Sequence, residues 1–350
     1  PGRVYAGLPA RWGIGYTVGS VPMYAILQTS GFDMLGYLYH ALSLNGDLQV
    51  WFDETMPVQY DLWNVRYVVA PVGRAFPDFV RPVAQFGRHL LYQVDTSGYF
   101  DLVTSDVALT GSKAQWYQAN LGWLQSGLPA AKMHPAEFFG PVQGSYAAVY
   151  PMSEVPWQML ERSASPQLGQ VVAERGAGNS YSADIKVEQP GYLMLKASYH
   201  PGWQARLDGK KVPTVMLAPS YMGVAVSQGE HSVSFQYVPS PVRLPLFLLG
   251  LGALVLLGLV EFRRQWVGKL AEWLAAVSRF WDGVGERLAR WRPGPDLPFL
   301  AGVLGFAVLA GLPLLQMKLT SGHDAFEYPP RVVEFYQGLS QGQVFPRWAP

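Results

Sequence analysis

The run Leu244–Val260, LPLFLLGLGALVLLGLV, decides how the rest of this chain is read. It carries no charged side chain, and Arg243 and the pair Arg263-Arg264 bracket it. A second run, Leu297–Met317, LPFLAGVLGFAVLAGLPLLQM, follows after a basic stretch. A helix that crosses the hydrocarbon core of a bilayer needs about 20 apolar residues, with a range of roughly 17–25. Both runs reach that range, the first at its lower end. A pair of buried core helices fits less well, because helices at the surface of a soluble core keep a polar face. The sequence therefore predicts transmembrane helices over 241–262 and 297–319, with most of the chain preceding the first.

Charge sets the expected orientation. Between the two runs lie Arg263, Arg264, Lys269, Arg279, Arg287, Arg290 and Arg292. Short cytoplasmic loops carry such an excess of Lys and Arg. Residues 263–296 are thus expected on the cytoplasmic side of the membrane, and 1–240 and 320–350 outside. The same stretch spaces Trp266, Leu270, Trp273, Leu274, Val277, Phe280, Trp281, Val284, Leu288 and Trp291 at three- and four-residue steps. That is an amphipathic helix with a Trp-rich apolar face and a basic polar face, suited to an anionic lipid surface. Docking of a cytoplasmic partner is the other use of such a face. Pro293-Gly294-Pro295 ends it.

Composition narrows the function. The formal net charge is only +1, so nothing points to nucleic acid, and the lipid bilayer is the partner the sequence itself implies. There is no Cys, so an exported region would fold without disulfides. His40, His89 and His134 are scattered without metal-ligand spacing. No Gly-rich phosphate loop follows a strand, and no nucleophile elbow is present. The chain starts at Pro1 and stops at Pro350, and it reads as an excerpt of a longer polytopic protein.

The region before the first span divides near residue 165 into an expected α/β domain, 1–165, and a β-sandwich, 166–240. In the sandwich, Tyr181, Ala183, Ile185 and Val187 alternate with polar residues. Trp203, Ala205 and Leu207 do the same, as do Val233, Phe235 and Tyr237. Period-two alternation marks half-buried antiparallel strands. Asp208-Gly209 signals a two-residue hairpin, and Gln228-Gly229 a second turn. In 1–165, Arg3–Tyr5, Val65–Ala70 and Leu90–Val94 read as short buried strands. Phe32–Leu44 and Lys113–Leu124 read as helices, giving a mixed class.

These residues carry a family resemblance. The stretch Tyr199-His-Pro-Gly-Trp-Gln-Ala-Arg-Leu-Asp-Gly-Lys-Lys211, then Gly229-Glu-His-Ser-Val-Ser-Phe-Gln-Tyr237, then Pro and a span, resembles the end of YfhO-like bacterial membrane proteins. Leu62-Trp-Asn-Val-Arg-Tyr-Val-Val69 resembles a strand in that family's exported region. Ser321-Gly-His-Asp-Ala-Phe-Glu327 and Gln341-Gly-Gln-Val-Phe-Pro-Arg-Trp348 resemble the first external loop of such proteins, so the end of one unit stands joined to the start of another. The resemblance implies a GT-C-type glycosyltransferase. Such an enzyme takes a lipid-linked sugar, a polyprenyl-phosphate donor, and passes the sugar to an envelope glycan such as lipoteichoic acid.

The same resemblance makes Asp324 the catalytic candidate, as a base toward the acceptor or as a ligand of a divalent metal ion, with His323 and Glu327 in support. A carboxylate within hydrogen-bond reach can deprotonate an attacking hydroxyl. A helix cap with Asp324 and Glu327 as a capping box is the structural alternative. Arg347, Trp203 and Tyr221 are the candidate substrate-binding residues. Trp203 and Tyr221 would form a sugar-stacking face with His200, but Trp203 alternates with polar neighbours and fits a core position between sheets better. His231, after a turn, reads as structural. The competing class is a non-catalytic, membrane-anchored glycan-binding or scaffold protein of the envelope.

Overall fold

The computed structural model describes residues 2–36, 44–160, 167–238, 242, 245–263, 302–305 and 328–340. The class is mixed α/β, in two units: 1–238 with 321–350, and 239–320.

A seven-stranded sheet is the middle layer of the large unit. It contains β7 (Phe100–Val103), β8 (Val107–Thr110), β9 (Ala136–Phe138), β10 (Ala148–Pro151), β13 (Gly191–Ser198), β16 (Val215–Leu217) and β17 (Tyr221–Val226). The order is β10-β8-β9-β16-β17-β13-β7. β8 pairs in parallel with β9 and β10, and the remaining pairs are antiparallel.

A five-stranded antiparallel sheet covers one face. It comprises β11 (Gly169–Ala177), β12 (Ser180–Val187), β14 (Trp203–Leu207), β15 (Lys210–Val212) and β18 (Gly229–Tyr237), in the order β11-β12-β18-β14-β15. The alternation read in the sequence sets the contact. Tyr181, Ala183, Ile185, Val187, Trp203, Ala205, Val233, Phe235 and Tyr237 are buried against Phe100, Leu193, Leu195, Met222 and Val224 of the middle sheet. Asp208 and Gly209 both have positive φ, 50° and 78°, and close the β14–β15 hairpin. That is the backbone of a type I′ turn, which Asp-Gly favours.

The other face of the middle sheet meets a helical and aromatic layer. α3 (Lys113–Leu124) buries Trp116, Ala119, Asn120, Trp123 and Leu124 along one side. At its start the Ser112 backbone N–H donates to Gln115 Oε1 at 2.9 Å, satisfying a donor the helix leaves unpaired. α2 (Pro57–Leu62) starts on a proline, whose fixed φ suits a first turn. α4 (Trp157–Leu160) lays Trp157 on the same core. A four-stranded sheet closes this side in the order β1 (Arg3–Tyr5), β4 (Val65–Pro71), β6 (His89–Gln93), β5 (Arg81–Phe86). β2 (Thr17–Val18) and β3 (Val21–Pro22) make a small hairpin before α1 (Met23–Thr29).

Two expectations need correction. The division near 165 cuts through a single sheet: β7 to β10 come from before it, and β13, β16 and β17 from after it. The sandwich is therefore built from both halves, and 166–240 has only one complete sheet of its own. The helix expected over Phe32–Leu44 does not begin at Phe32. Residues 32–36 are extended or bent, Leu35 N–H donates to the Val4 carbonyl at 3.0 Å, and 37–43 lie outside the described residues. A 3₁₀ helix, Leu44–Trp51, follows.

In the second unit, α5 (Pro245–Arg263) is long and apolar enough to cross a membrane, and none of its apolar window is buried. At 1.5 Å per residue its 19 residues span roughly 28 Å, close to a hydrocarbon core. Of the second expected span only 302–305 are described, and they are helical. The amphipathic stretch 264–296 lies outside the described residues.

Two buried titratable groups oppose each other in the large unit. Burial pushes the Glu137 carboxyl up to about 7, against hydrogen bonds from Asn120 and the Ser220 N–H. Burial pushes the His134 imidazole down to about 4, although its Nδ1 lies 2.6 Å from the Ala218 carbonyl. A raised carboxyl contributes stability below its unfolded value of 4.5 and loses it as pH rises through 7. A depressed imidazole contributes stability above 6.5 and loses it as pH falls through 4. Glu137→Gln should therefore melt higher than wild type at pH 8, by an amount on the order of 3 kcal/mol, and show little gain at pH 5. Equal shifts at both pH values would contradict the buried, protonated carboxyl. Trp203→Ala should cost about 3–5 kcal/mol, because it empties a core position between sheets. Thermal melting and limited proteolysis read this, and a wild-type profile would remove Trp203 from the core.

Candidate functional site

The residues singled out from sequence do not assemble into one site among the described residues. Trp203 is 3% exposed, with ring centroids 6.0 Å from Tyr181 and 5.7 Å from Tyr237, inside the sandwich. Tyr221 is fully buried on the other side of the middle sheet, edge-on to Trp63 at 5.9 Å, and its hydroxyl donates to the Leu62 carbonyl at 3.2 Å. Neither ring offers a sugar-stacking face, and they occupy different cores. His323, Asp324, Glu327 and Arg347 lie outside the described residues. The helix expected after Asp324 is present as α6 (Tyr328–Ser340), which packs beside α1.

His231 makes a tempting constellation with Ser227 and Asp208. Its Nδ1 is 2.8 Å from Asp208 Oδ2, and its Nε2 is 3.4 Å from Ser227 Oγ. Nε2 is closer, at 3.1 Å, to the Ser227 carbonyl oxygen, which can only accept. A ring nitrogen that donates there has no lone pair to take a proton from the serine. The group ties two hairpin turns together, as its place after a turn suggested.

Charge concentrates instead at Lys196, which sequence reasoning missed. Lys196 is the one cation on β13, a strand buried on both faces, and its side chain is enclosed. Its Nζ donates to the Asp61 carbonyl and to Ser97 Oγ, both at 2.7 Å, and lies 3.4 Å from Asp61 Oδ1 and 3.7 Å from Asp101 Oδ2. Lys132 Nζ pairs with Asp101 Oδ1 at 2.7 Å. Burial works against the Asp61 charge, but Lys196, two hydrogen bonds from Ser97 and then Lys132 outweigh it and hold the carboxyl at about 2. The cavity beside these groups is only water-sized, about 10 Å³, so the cluster is a structural joint between α2, β7 and β13. Its only sequence signal is a lysine in the apolar run Leu193–Ala197.

A second feature is open. A cleft of about 580 Å³ is lined by Trp12, Gly15, Tyr16 and Thr17 on one side and by Pro71–Ala75 and Arg88 on the other. Gly7 and Gly13 set the path of the chain into Trp12. Gly7 has φ +84°, and a Cβ on Gly13 would come 2.5 Å from the Gly7 carbonyl oxygen. That close approach turns the chain so that Trp12 faces Glu54, to which its Nε1 donates at 2.6 Å. Glu54 also accepts from Tyr5 OH and pairs with Arg74, each at 2.6 Å. Arg74 lies over the Trp12 ring at 4.4 Å. Tyr16 OH meets His89 Nδ1 at 2.5 Å, and Arg88 donates to the Thr17 carbonyl. These residues come from separate turns, with no periodic signal to announce them.

The Lys196 joint gives a test. Lys196→Ala takes the enclosed ammonium from Asp61 and leaves Asp101 with Lys132 alone, and should cost about 3–5 kcal/mol. Adding Asp61→Asn and Asp101→Asn should recover much of that loss in thermal melts. No recovery would show that the lysine acts through packing alone.

Residues 161–249 match the family model described as bacterial membrane protein YfhO. No curated protein and no solved structure gives a significant match. The matched stretch takes in the whole five-stranded sheet and the first residues of α5, so it is over this sheet-to-helix junction that the chain is similar to the bacterial membrane protein YfhO family.

Proposed function

We propose that the full-length protein moves a sugar from a polyprenyl-phosphate donor to a cell-envelope polymer, in the manner of GT-C glycosyltransferases. The observation that carries this reading is the family match running from the five-stranded sheet into an apolar helix long enough to cross a membrane. In this reading 1–240 and 320–350 lie outside the plasma membrane and 263–296 inside. The large unit is an accessory region, and the first external loop supplies Asp324 as the base. Its carboxylate would take the proton of the acceptor hydroxyl as that oxygen attacks the anomeric carbon and the bond from that carbon to the phosphate oxygen breaks, releasing polyprenyl phosphate. His323 and Glu327 would orient the carboxylate, and Arg347 would hold the donor phosphate, for which a guanidinium fork is well matched.

One observation favours a second reading, a non-catalytic glycan-binding or scaffold protein. The open cleft beside Trp12 belongs wholly to the large unit and needs no membrane helix to complete it.

Asp324→Asn separates the two. Asn caps a helix about as well as Asp, so folding should be kept. The basic oxygen is lost, so transfer to the envelope polymer should fall by roughly 10²-fold or more at unchanged protein abundance, the scale of one general base. Full transfer by this variant would end the catalytic role of Asp324 and leave the scaffold reading.

A further inference from the structure

The cleft beside Trp12 has features that the transfer reading does not use. Its volume, about 580 Å³, lies within the range of small-molecule sites, about 300–1,000 Å³, and is far larger than a bare phosphate needs. Two guanidinium groups line it, Arg74 and Arg88, and among the described residues no carboxylate does.

The two arginines differ in a useful way. Arg74 is fixed before any ligand arrives. Its terminal nitrogen is 2.6 Å from Glu54 Oε2, and the group is stacked 4.4 Å over Trp12 and 5.4 Å from the Phe76 ring. Its buried Nε has no hydrogen-bond partner among the described residues. Arg88 is exposed and spends one donor on the Thr17 carbonyl. A guanidinium has five N–H donors in a flat fork, so Arg88 keeps enough to grip an oxyanion in two-point fashion. Between them the walls are flat or small, with Tyr16 on one side and Gly73 and Ala75 on the other. Those walls suit a ring with an apolar face, and the guanidiniums suit a charge on that ring.

We propose that this cleft binds an anionic sugar unit, a pyranose carrying a phosphate or a carboxylate, with Arg88 and Arg74 on its charge and the ring against Tyr16 and the Gly73–Ala75 turn. Phosphate and carboxylate share the fork-to-oxyanion chemistry. The sugar could come from a lipid-linked headgroup or from a polymer. The assignment does not depend on sugar transfer by this protein.

The test uses the full chain in detergent, titrated with glucose 1-phosphate, glucuronate, glucose and inorganic phosphate, with binding followed by calorimetry. At least one of the two anionic sugars should bind saturably, and about tenfold or more tighter than both glucose and inorganic phosphate. Preference for glucose 1-phosphate assigns the site to a sugar phosphate, and preference for glucuronate to an acidic polymer unit. Arg88→Gln should weaken that binding about tenfold or more, the effect of losing a charge-assisted hydrogen bond. Its melting temperature should stay at the wild-type value, since Arg88 is exposed. Arg88→Lys keeps the charge but not the fork, and should recover only part of the affinity. Asp324→Asn should bind as wild type does, which keeps this result apart from the transfer assay. Glucose or inorganic phosphate binding as tightly as the anionic sugars would overturn the proposal. So would unchanged affinity in Arg88→Gln.

Discussion

Everything in the large unit depends on β13 being covered on both faces. Leu193, Leu195 and Ala197 point into the sandwich core, and Met194 with Lys196 into the opposite layer. A strand in that position cannot show a polar side to water, so its one cation has to be neutralised inside the protein. Asp61, Ser97 and Asp101 do this, and each belongs to a different part of the fold. Arg3 acts in the same way beside them: it donates to the Trp63 and Lys196 carbonyls at 2.8 and 2.9 Å and pairs with Asp33. Buried ion pairs add little net stability because desolvation offsets the attraction, but breaking one is costly. Such joints fix how the layers meet more than they strengthen the contact.

This arrangement explains which parts of the fold could be read in advance. β12, β14 and β18 are buried on one face only, so their side chains alternate and the strands were legible residue by residue. The Asp208-Gly209 turn was legible because its backbone suits few residue types. α3 was legible from end to end, with Trp116 and Trp123 two turns apart on one side. What local pattern does not encode is which distant strands pair. β7 and β13 are adjacent in the sheet and far apart in sequence, and nothing in Phe100–Val103 or Gly191–Ser198 names the partner. For that reason the unit looked like two domains meeting at 165. Residues 32–36 went wrong for a related reason: Val4, distant in sequence, donates its N–H to the Asp33 carbonyl and accepts from the Leu35 N–H, which holds them extended.

The same contrast holds for the sites. Trp203 and Tyr221 drew attention as aromatic residues in a region suspected of handling sugar, and both proved to be core. The cleft is made by turns at 12–17, 71–75 and 88, where Arg and Gly carry no signature of binding until the chain brings them together. The family match likewise covers the sheet-to-helix junction and not the cleft. The likeness that named the family and the geometry that suggests a ligand thus come from different parts of one unit.

The account as a whole rests on the large unit lying outside the membrane and the basic stretch after α5 lying inside. Its most direct test is labelling of single-cysteine variants in intact cells with a membrane-impermeant thiol reagent, which the natural absence of cysteine makes clean. Lys211→Cys, on the exposed β15 edge, should be labelled in intact cells. Ser278→Cys should be labelled only after the cells are opened. Labelling of Ser278→Cys in intact cells, with Lys211→Cys protected, would reverse the orientation and contradict an external site of sugar transfer.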